Sequence, residues 1–143
     1  MRSNAVAWNP REPMYFTAAN EDHNLYTFDM RTLNKAVFVH KDFLGAVMDV
    51  SYSPTGREFV AGSYDRTVRI FPSRSGRSRE VYHGRRMQRV FAVKYSADAQ
   101  YILCGSDDMN IRLWKARASQ QMGQLLPREK RKLVSSLFGG FLD

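Results

Sequence analysis

The fold is decided by one stretch of the sequence, Phe59-Val60-Ala61-Gly62-Ser63-Tyr64-Asp65-Arg66-Thr67-Val68-Arg69-Ile70-Phe71. Its two ends, residues 59–63 and 67–71, are rich in β-branched and aromatic side chains and show strand-like alternation. Between them, Asp65 can accept hydrogen bonds from turn backbone groups that would otherwise stay unpaired. The stretch therefore predicts two short antiparallel strands joined by a tight turn.

The same pattern recurs along the chain with a period of 43 residues. Asp65 aligns with Asp22 and Asp108, Phe71 aligns with Phe28 and Trp114, and His40 aligns with His83. The segment 46–56 likewise matches 90–99, and residues 5–10 begin an earlier copy. Four short strands per unit at this period are typical of a β-propeller blade. We therefore predict an all-β propeller fragment of about three blades, at 1–39, 40–82 and 83–118, with a short helical basic tail over 119–143.

Length and composition limit the class of protein. The chain has 143 residues, of which 43% are hydrophobic and 13% aromatic, enough to bury a core. No apolar stretch reaches 18 residues, so we expect neither a membrane span nor a secretory signal. The single cysteine, Cys104, is expected as a buried thiol in a strand. These features predict an intracellular protein in a reducing compartment.

The residue types of a catalytic triad are present, but their placement argues against an enzyme. His40, Ser63 and Asp65 recur one period later as His83, Ser106 and Asp108, and neither serine lies in a Gly-x-Ser-x-Gly turn. We expect these residues, with Trp114, to form structural hydrogen-bonded networks within the blades. The sequence also has no phosphate-binding loop and no metal-ligand spacing. We therefore expect no catalytic residues, no metal, no cofactor and no small-molecule substrate.

The net charge of +8 is concentrated in the second half of the chain. Residues 1–71 carry eight basic and eight acidic groups, whereas residues 72–94 carry seven basic groups against Glu80. Such an excess suggests RNA or an acidic protein as partner, or simply a solvated surface. The candidate RNA- or acidic-partner-binding residues are Arg74, Arg77, Arg79, Arg85, Arg86 and Arg89. Loops on one rim of a propeller are expected to bring them together.

Residues 4–118 resemble the WD-repeat family. Segments 20–31, 51–56, 78–83 and 105–116 are similar to the last blades of its Sof-type members, which belong to the small-subunit processome. The tail residues Leu125-Leu126-Pro127-Arg128-Glu129-Lys130 resemble the start of the basic Sof region, and the similarity ends after Lys132. The resemblance implies a scaffold in nucleolar ribosome biogenesis, with pre-rRNA and snoRNP particle proteins as partners.

Sof-type proteins are also described as cullin ubiquitin-ligase associated factors, which implies a second function as a substrate receptor. Phe28-Asp29-Met30-Arg31 resembles the box by which such receptors bind the ligase adaptor, so Asp29 and Arg31 are the candidate adaptor-binding residues. A structural pairing of these two side chains is the alternative. Three blades are fewer than a closed propeller needs, so the sequence also allows a fragment or a shortened, non-functional product. Such an open arc exposes its sheet edges.

Overall fold

The strand-like segments form three antiparallel sheets in a computed structural model of the chain, which describes residues 1–120 and 127–128. The first sheet contains β1 (Ser3–Trp8), β2 (Tyr15–Asn20), β3 (Asn24–Asp29) and β4 (Phe38–Lys41). The second contains β5 (Val47–Tyr52), β6 (Glu58–Ser63), β7 (Val68–Pro72) and β8 (Glu80–Tyr82). The third contains β9 (Val90–Tyr95), β10 (Tyr101–Ser106) and β11 (Ile111–Lys115). In each sheet the strands pair in sequence order.

The predicted fold class is confirmed, with two differences in detail. Within the described residues the third sheet has three strands, not four. The first sheet extends to Lys41, so the boundary placed between residues 39 and 40 falls inside β4. His40 therefore lies in the last strand of one sheet, and not in a loop before the next. The predicted tail, apart from residues 119–120 and 127–128, lies outside the described residues.

The second sheet is buried on both faces. Phe59 and Ala61 of β6 pack toward the first sheet, in a core that includes Leu25, Val47 and Phe71. Val60 of the same strand packs toward the third sheet, in a core whose other members are Val68, Ile70, Met87, Val90, Val93, Tyr95, Ile102, Cys104 and Ala116. Two buried faces require apolar residues at successive positions. This explains the uninterrupted run Phe59-Val60-Ala61 in the central hairpin.

A β-bulge interrupts the first strand of every sheet. The register shifts between Ser3 and Ala5 in β1, and between Val47 and Asp49 in β5. In β9, Val90 pairs with Ser106 and Ala92 with Gly105, which leaves Phe91 as the extra residue. A bulge bends the strand and redirects the side chain of its extra residue. The bulges therefore place Asn4, Met48 and Phe91 at equivalent positions in successive sheets.

The outward faces of the first and third sheets carry exposed apolar side chains. Trp8 is 55% exposed on the first sheet, and Leu113 and Ile111 are 61% and 80% exposed on the third. Aromatic rings extend the first of these faces, since the rings of Trp8 and Phe16 have centroids 5.1 Å apart.

The described part of the chain contains no helix long and apolar enough to cross a membrane.

Candidate functional site

The aspartates of the repeat stabilise the turn between the second and third strands of each sheet. Oδ1 of Asp65 accepts hydrogen bonds from the backbone N–H and the hydroxyl of Thr67, at 3.0 and 2.6 Å. Oδ1 of Asp22 and of Asp108 accepts the backbone N–H two residues later, at 3.3 and 3.4 Å. In each turn the next residue has a positive φ, at His23, Arg66 and Met109. The predicted role of the aspartates in the turns is therefore confirmed.

The hydrogen-bonded network predicted for the third sheet is wrong in two of its four members. His83 is exposed, and no side-chain hydrogen bond joins it to Ser106 or Asp108 among the described residues. Ser106 does donate a hydrogen bond to Asp108. The indole N–H of Trp114, however, donates to Sγ of Cys104, at 3.1 Å. The Trp114 ring stacks on Tyr82, with centroids 5.0 Å apart.

Arg112, and not His83, is the third member of the hydrogen-bonded network with Ser106 and Asp108. Its guanidinium donates to the hydroxyl of Ser106 at 3.0 Å and to both carboxylate oxygens of Asp108. These bonds from Arg112, followed by the bond from Ser106, hold the pKa of the Asp108 carboxyl well below its usual range. Because β10 and β11 form a hairpin, the side chain of Arg112 reaches back across the turn to Asp108, a contact that the repeat alignment did not reveal.

In the second block, the predicted network of His40, Ser63 and Asp65 is also wrong. The hydroxyl of Ser63 donates to the carbonyls of Gly45 and Ala46, at 2.9 and 3.0 Å, and accepts the backbone N–H of Asp65 at 3.2 Å. His40 bonds elsewhere, so it has no hydrogen bond with Ser63. Ser63 therefore holds the turn at Asp65, and Ser63 and His40 are not paired as a nucleophile and its general base.

His40 belongs to a buried chain of hydrogen bonds between the first two sheets. Its Nδ1 lies 2.5 Å from the carbonyl oxygen of Ser75, and its Nε2 lies 2.9 Å from the hydroxyl of Thr27. The Thr27 hydroxyl contacts that of Thr17 at 2.8 Å, which contacts Tyr52 Oη at 2.7 Å. Because a carbonyl only accepts, Nδ1 carries the proton and the neutral Nε2 accepts. Burial lowers the pKa of His40 and favours this neutral form.

The direction of every bond in this chain follows from that assignment. Thr27 donates to His40, Thr17 donates to Thr27, and Tyr52 donates to Thr17. All four side chains are buried. A fully satisfied buried network of this kind holds its members in one arrangement. The sequence pattern did not predict it, because Thr17 and Tyr52 read as ordinary strand residues.

The two candidate adaptor-binding residues form an ion pair with each other. Oδ1 of Asp29 accepts the backbone N–H of Arg31 at 2.9 Å and its Nε at 3.1 Å, and Oδ2 accepts Nη2 at 2.8 Å. The guanidinium bonds, followed by the backbone bond, lower the pKa of the Asp29 carboxyl. The Asp29 side chain is 10% exposed, whereas that of Arg31 is 61% exposed. Asp29 thus orients an arginine that remains open to solvent.

The six candidate arginines do not form one cluster. Arg74, Arg77 and Arg79 lie on the connection between β7 and β8, whereas Arg85, Arg86 and Arg89 follow β8 and lead into β9. The first connection ends where β8 begins, and the second connection starts where β8 ends. The two connections therefore lie at opposite ends of this strand. The expectation that all six arginines share one rim is therefore wrong, and the chain has two separate groups.

The first group is neutralised within the chain. Arg74 pairs with Glu12 at 2.8 Å, and Arg77 pairs with Asp42 at 3.2 Å. Arg79 pairs with Glu58 at 2.6 Å and donates to the carbonyl oxygen of Ala116 at 2.8 Å. These carboxylates come from other strands and loops, so only the tertiary structure reveals the pairing.

The second group has no such partners. No carboxylate of the described residues lies within ion-pair distance of Arg85, Arg86 or Arg89, and all three are exposed. Arg89 instead lies against Tyr64, with Cζ 5.5 Å from the ring centroid. We call Arg85, Arg86 and Arg89 the open arginines. No group of three or more His, Cys, Asp or Glu residues in the described part of the chain is arranged to hold a metal ion.

The stacked antiparallel sheets, each with an aspartate in the turn between its second and third strands, are those of a WD-type propeller. The model of the family described as WD domain, G-beta repeat matches residues 34–71 and 76–115, and the chain belongs to this family. Each matched segment begins before the last strand of one sheet and ends in the third strand of the next. The sequence repeat and the sheet are thus offset by one strand, which explains the misplaced boundary at residue 39.

Within the family, the chain is similar to proteins of two printed names. It is 60% identical over 130 residues to DDB1- and CUL4-associated factor 13 of Xenopus tropicalis, covering 91% of this chain and 29% of that protein. It is 62% identical over 81 residues to the Danio rerio protein of the same name, covering 57% of this chain and 18% of that protein. It is 54% identical over 81 residues to Protein SOF1 of Saccharomyces cerevisiae, covering 57% of this chain and 17% of that protein.

These similarities confirm the resemblance to Sof-type WD-repeat proteins. The chain spans at most 29% of the length of the three relatives.

Proposed function

We propose that the chain is a non-catalytic scaffold in nucleolar ribosome biogenesis, and that its open arginines contact the RNA backbone of small-subunit precursor particles. The similarity to Protein SOF1 supports a role in these particles, because the Sof-type resemblance implies a scaffold in ribosome biogenesis. The observation that carries the RNA contact is the pairing difference between the two arginine groups. A non-catalytic role is supported by the contacts of His40 and Ser63, which are used within the fold.

The argument for RNA rests on which charges remain available. A guanidinium already paired with a carboxylate contributes little net field, so Arg74, Arg77 and Arg79 are poor candidates for phosphate contacts. Arg85 and Arg86 are exposed on one short connection, without a carboxylate partner among the described residues. Arginine forms bidentate hydrogen bonds to phosphate. Of the six candidate arginines, the three open arginines are therefore the ones best suited to a polyanion.

A filter-binding titration against single-stranded RNA at several salt concentrations tests this contact. Each phosphate neutralised contributes about −0.7 to the log-log salt slope, so three contacts predict a slope of roughly −2. The double variant Arg85→Gln, Arg86→Gln should flatten this slope by about 1.4. The double variant Arg74→Gln, Arg77→Gln removes the same charge from paired residues and should leave the slope unchanged. Equal effects of the two variants would contradict the proposal.

Association with the particle is tested in cells. A tagged chain should sediment with small-subunit precursor particles and recover pre-rRNA, and the Arg85→Gln, Arg86→Gln variant should recover less. Failure of the wild-type chain to sediment with these particles would reject the scaffold function. Failure of the variant to differ would reject only the role of the two arginines.

Binding to a cullin-ligase adaptor is a second candidate function. Two of the relatives carry the printed name DDB1- and CUL4-associated factor 13. The favouring observation is that Asp29 fixes Arg31 while leaving its side chain 61% exposed. Because Asp29 also accepts the backbone N–H of Arg31, replacing Asp29 disturbs the turn itself, so Arg31→Ala is the cleaner test. We expect Arg31→Ala to weaken co-purification with DDB1 and to leave particle association intact. Undiminished recovery of DDB1 would reject this function.

A further inference from the structure

An exposed aromatic pair lies against Arg89, which belongs to the open arginines. Tyr64, in the turn between β6 and β7, is 37% exposed, and Phe91, in β9, is 43% exposed. Their rings meet edge to face, with centroids 5.5 Å apart and planes at 82°. The guanidinium of Arg89 lies over the Tyr64 ring, 5.5 Å from its centroid. The three side chains come from two different sheets and form one cluster, which we call the aromatic platform.

The fold itself builds this platform. Phe91 is the extra residue of the bulge in β9, so its side chain leaves the regular alternation of the strand. At the equivalent bulge of the first sheet, the Asn4 amide donates to the carbonyl oxygen of Val47 in the next sheet. The backbone carbonyl of Arg89 accepts the N–H of Asp107 at 2.9 Å, which anchors the connection next to the platform. On the other side, the backbone N–H of Tyr64 donates to the carbonyl oxygen of Ala46 at 3.0 Å, so backbone hydrogen bonds hold both sides of the platform.

An exposed aromatic cluster with uncompensated positive charge has the chemistry of a single-strand binding surface. Unpaired bases stack on aromatic rings and on guanidinium planes, and phosphates pair with nearby arginines. In this chain, Phe91 and Tyr64 supply the rings, Arg89 supplies the guanidinium plane, and Arg85 and Arg86 supply free charge. An acidic protein would use the charges but would gain little from two exposed rings.

We propose that the aromatic platform stacks unpaired bases of single-stranded RNA while Arg85 and Arg86 hold the adjoining phosphates. This inference rests on the RNA contact of the proposed function and adds the site that recognises unpaired bases. It assigns a binding role to Tyr64 and Phe91. The platform distinguishes single-stranded from double-stranded RNA. It has little sequence preference, because every base has a stacking face.

The test compares Phe91→Ala and Tyr64→Ala with the wild-type chain on a 12-nucleotide oligoadenylate and on an RNA duplex of the same length. Loss of one stacked base weakens binding roughly 5- to 150-fold. We expect this loss on the oligoadenylate and not on the duplex, whose bases stay stacked on each other. The salt slope should not change, because stacking releases no counterions. The Arg85→Gln, Arg86→Gln variant should show the reverse pattern, with a flatter slope on both RNAs.

Matched controls separate stacking from folding. Leu103, in β10, is as exposed as Phe91 at 43%, and Leu103→Ala should bind both RNAs as the wild-type chain does. Phe91→Tyr keeps an aromatic face and should retain affinity, whereas Phe91→Leu keeps bulk without that face and should lose it. This pair decides the question even if Phe91→Ala proves unstable in a circular-dichroism melt.

Two outcomes overturn the platform and are distinct from failure of the proposed function. If Phe91→Leu binds oligoadenylate as tightly as Phe91→Tyr while the arginine variant weakens binding, the contact is to phosphate alone and the proposed function survives. If Phe91→Leu weakens binding to the oligoadenylate and to the duplex equally, the rings do not recognise unpaired bases. If the wild-type chain binds neither RNA but binds polyglutamate, an acidic protein is the partner, and both the platform and the RNA contact are wrong.

Discussion

Gly62 and Gly105 occupy the same position in the second and third sheets, but only Gly62 faces another sheet. A Cβ built on Gly62 lies 2.5 Å from Cγ1 of Val90 and 2.9 Å from Cγ1 of Val93. A Cβ built on Gly105 meets no atom of the described residues within 4 Å. Neither backbone has a positive φ, so alanine is conformationally allowed at both positions. Gly62→Ala and Gly105→Ala therefore differ only in what the added methyl group meets.

The cost at Gly62 follows from these distances. Two carbon atoms rest about 3.5–4.0 Å apart, so the methyl group must displace Val90 by roughly 1 Å. Val90 is fully buried, and β9 is held by hydrogen bonds from Val93 N–H to Asp49 and from Tyr95 N–H to Ser51, at 3.0 and 3.2 Å. Overpacking costs about 1–3 kcal/mol, and alanine recovers about 0.4–1 kcal/mol by restricting the unfolded chain. We expect Gly62→Ala to lose a net of up to about 2.6 kcal/mol.

A thermal melt followed by circular dichroism measures the difference. For a chain of this size, 1 kcal/mol corresponds to about 4 °C in Tm, so Gly62→Ala should melt up to about 10 °C lower than the wild-type chain. Gly105→Ala should melt at the same temperature or slightly higher. The comparison is made at a protein concentration where the chain is monodisperse. Equal shifts for the two variants would refute the packing of the second sheet on the third.

Three further results are expected. Thr27→Val leaves buried His40 Nε2 without a donor and the hydroxyl of Thr17 without an acceptor, which costs about 1–3 kcal/mol for each group. Urea unfolding should show this loss, and exposed Thr32→Val, whose hydroxyl has no hydrogen-bond partner among the described residues, should show none. The free energy of unfolding should be constant between about pH 8 and 6.5 and fall as the pH is lowered from 6.5 toward 5, because burial lowers the pKa of His40 and only the unfolded chain takes up its proton there. The carboxyls with lowered pKa reduce stability only at more acidic pH, so a flat profile in urea melts below pH 6.5 would contradict the assignment. The exposed apolar faces should make the chain self-associate, so light scattering on a size-exclusion column should give a mass above 16.5 kDa, and Leu113→Lys should lower this mass. A single species of 16.5 kDa at every concentration would argue against self-association.

Much of the fold was readable from the sequence because its signals are local. An aspartate that accepts the N–H two residues later needs no distant partner, so the turns at Asp22, Asp65 and Asp108 follow from residue type and spacing. The same holds for the strands on either side of them. One exception is the sheet boundary, since β4 pairs with β3 although the sequence repeat assigns it to the following unit. The other is the third sheet, which has three strands within the described residues.

The site residues were less predictable because their roles depend on partners far along the chain. Arg74 and Arg85 are both loop arginines and look alike in sequence. Glu12, which lies 62 residues before Arg74, pairs with Arg74, whereas Arg85 has no carboxylate partner among the described residues. Similarly, alignment suggested Ser63 as the partner of His40, whereas the actual partner is Thr27.

The sequence by itself determined the repeat, the turns and the family, because residue type and spacing are enough to specify a hairpin. Only the tertiary structure decided which charges remain free and which rings are exposed. Those properties depend on the stacking of one sheet on the next, which pairs Arg77 with Asp42 and brings Phe91 beside Tyr64. Hydrogen bonds within a turn act over two or three residues, whereas ion pairing and ring exposure are set by atoms that meet only when the sheets pack.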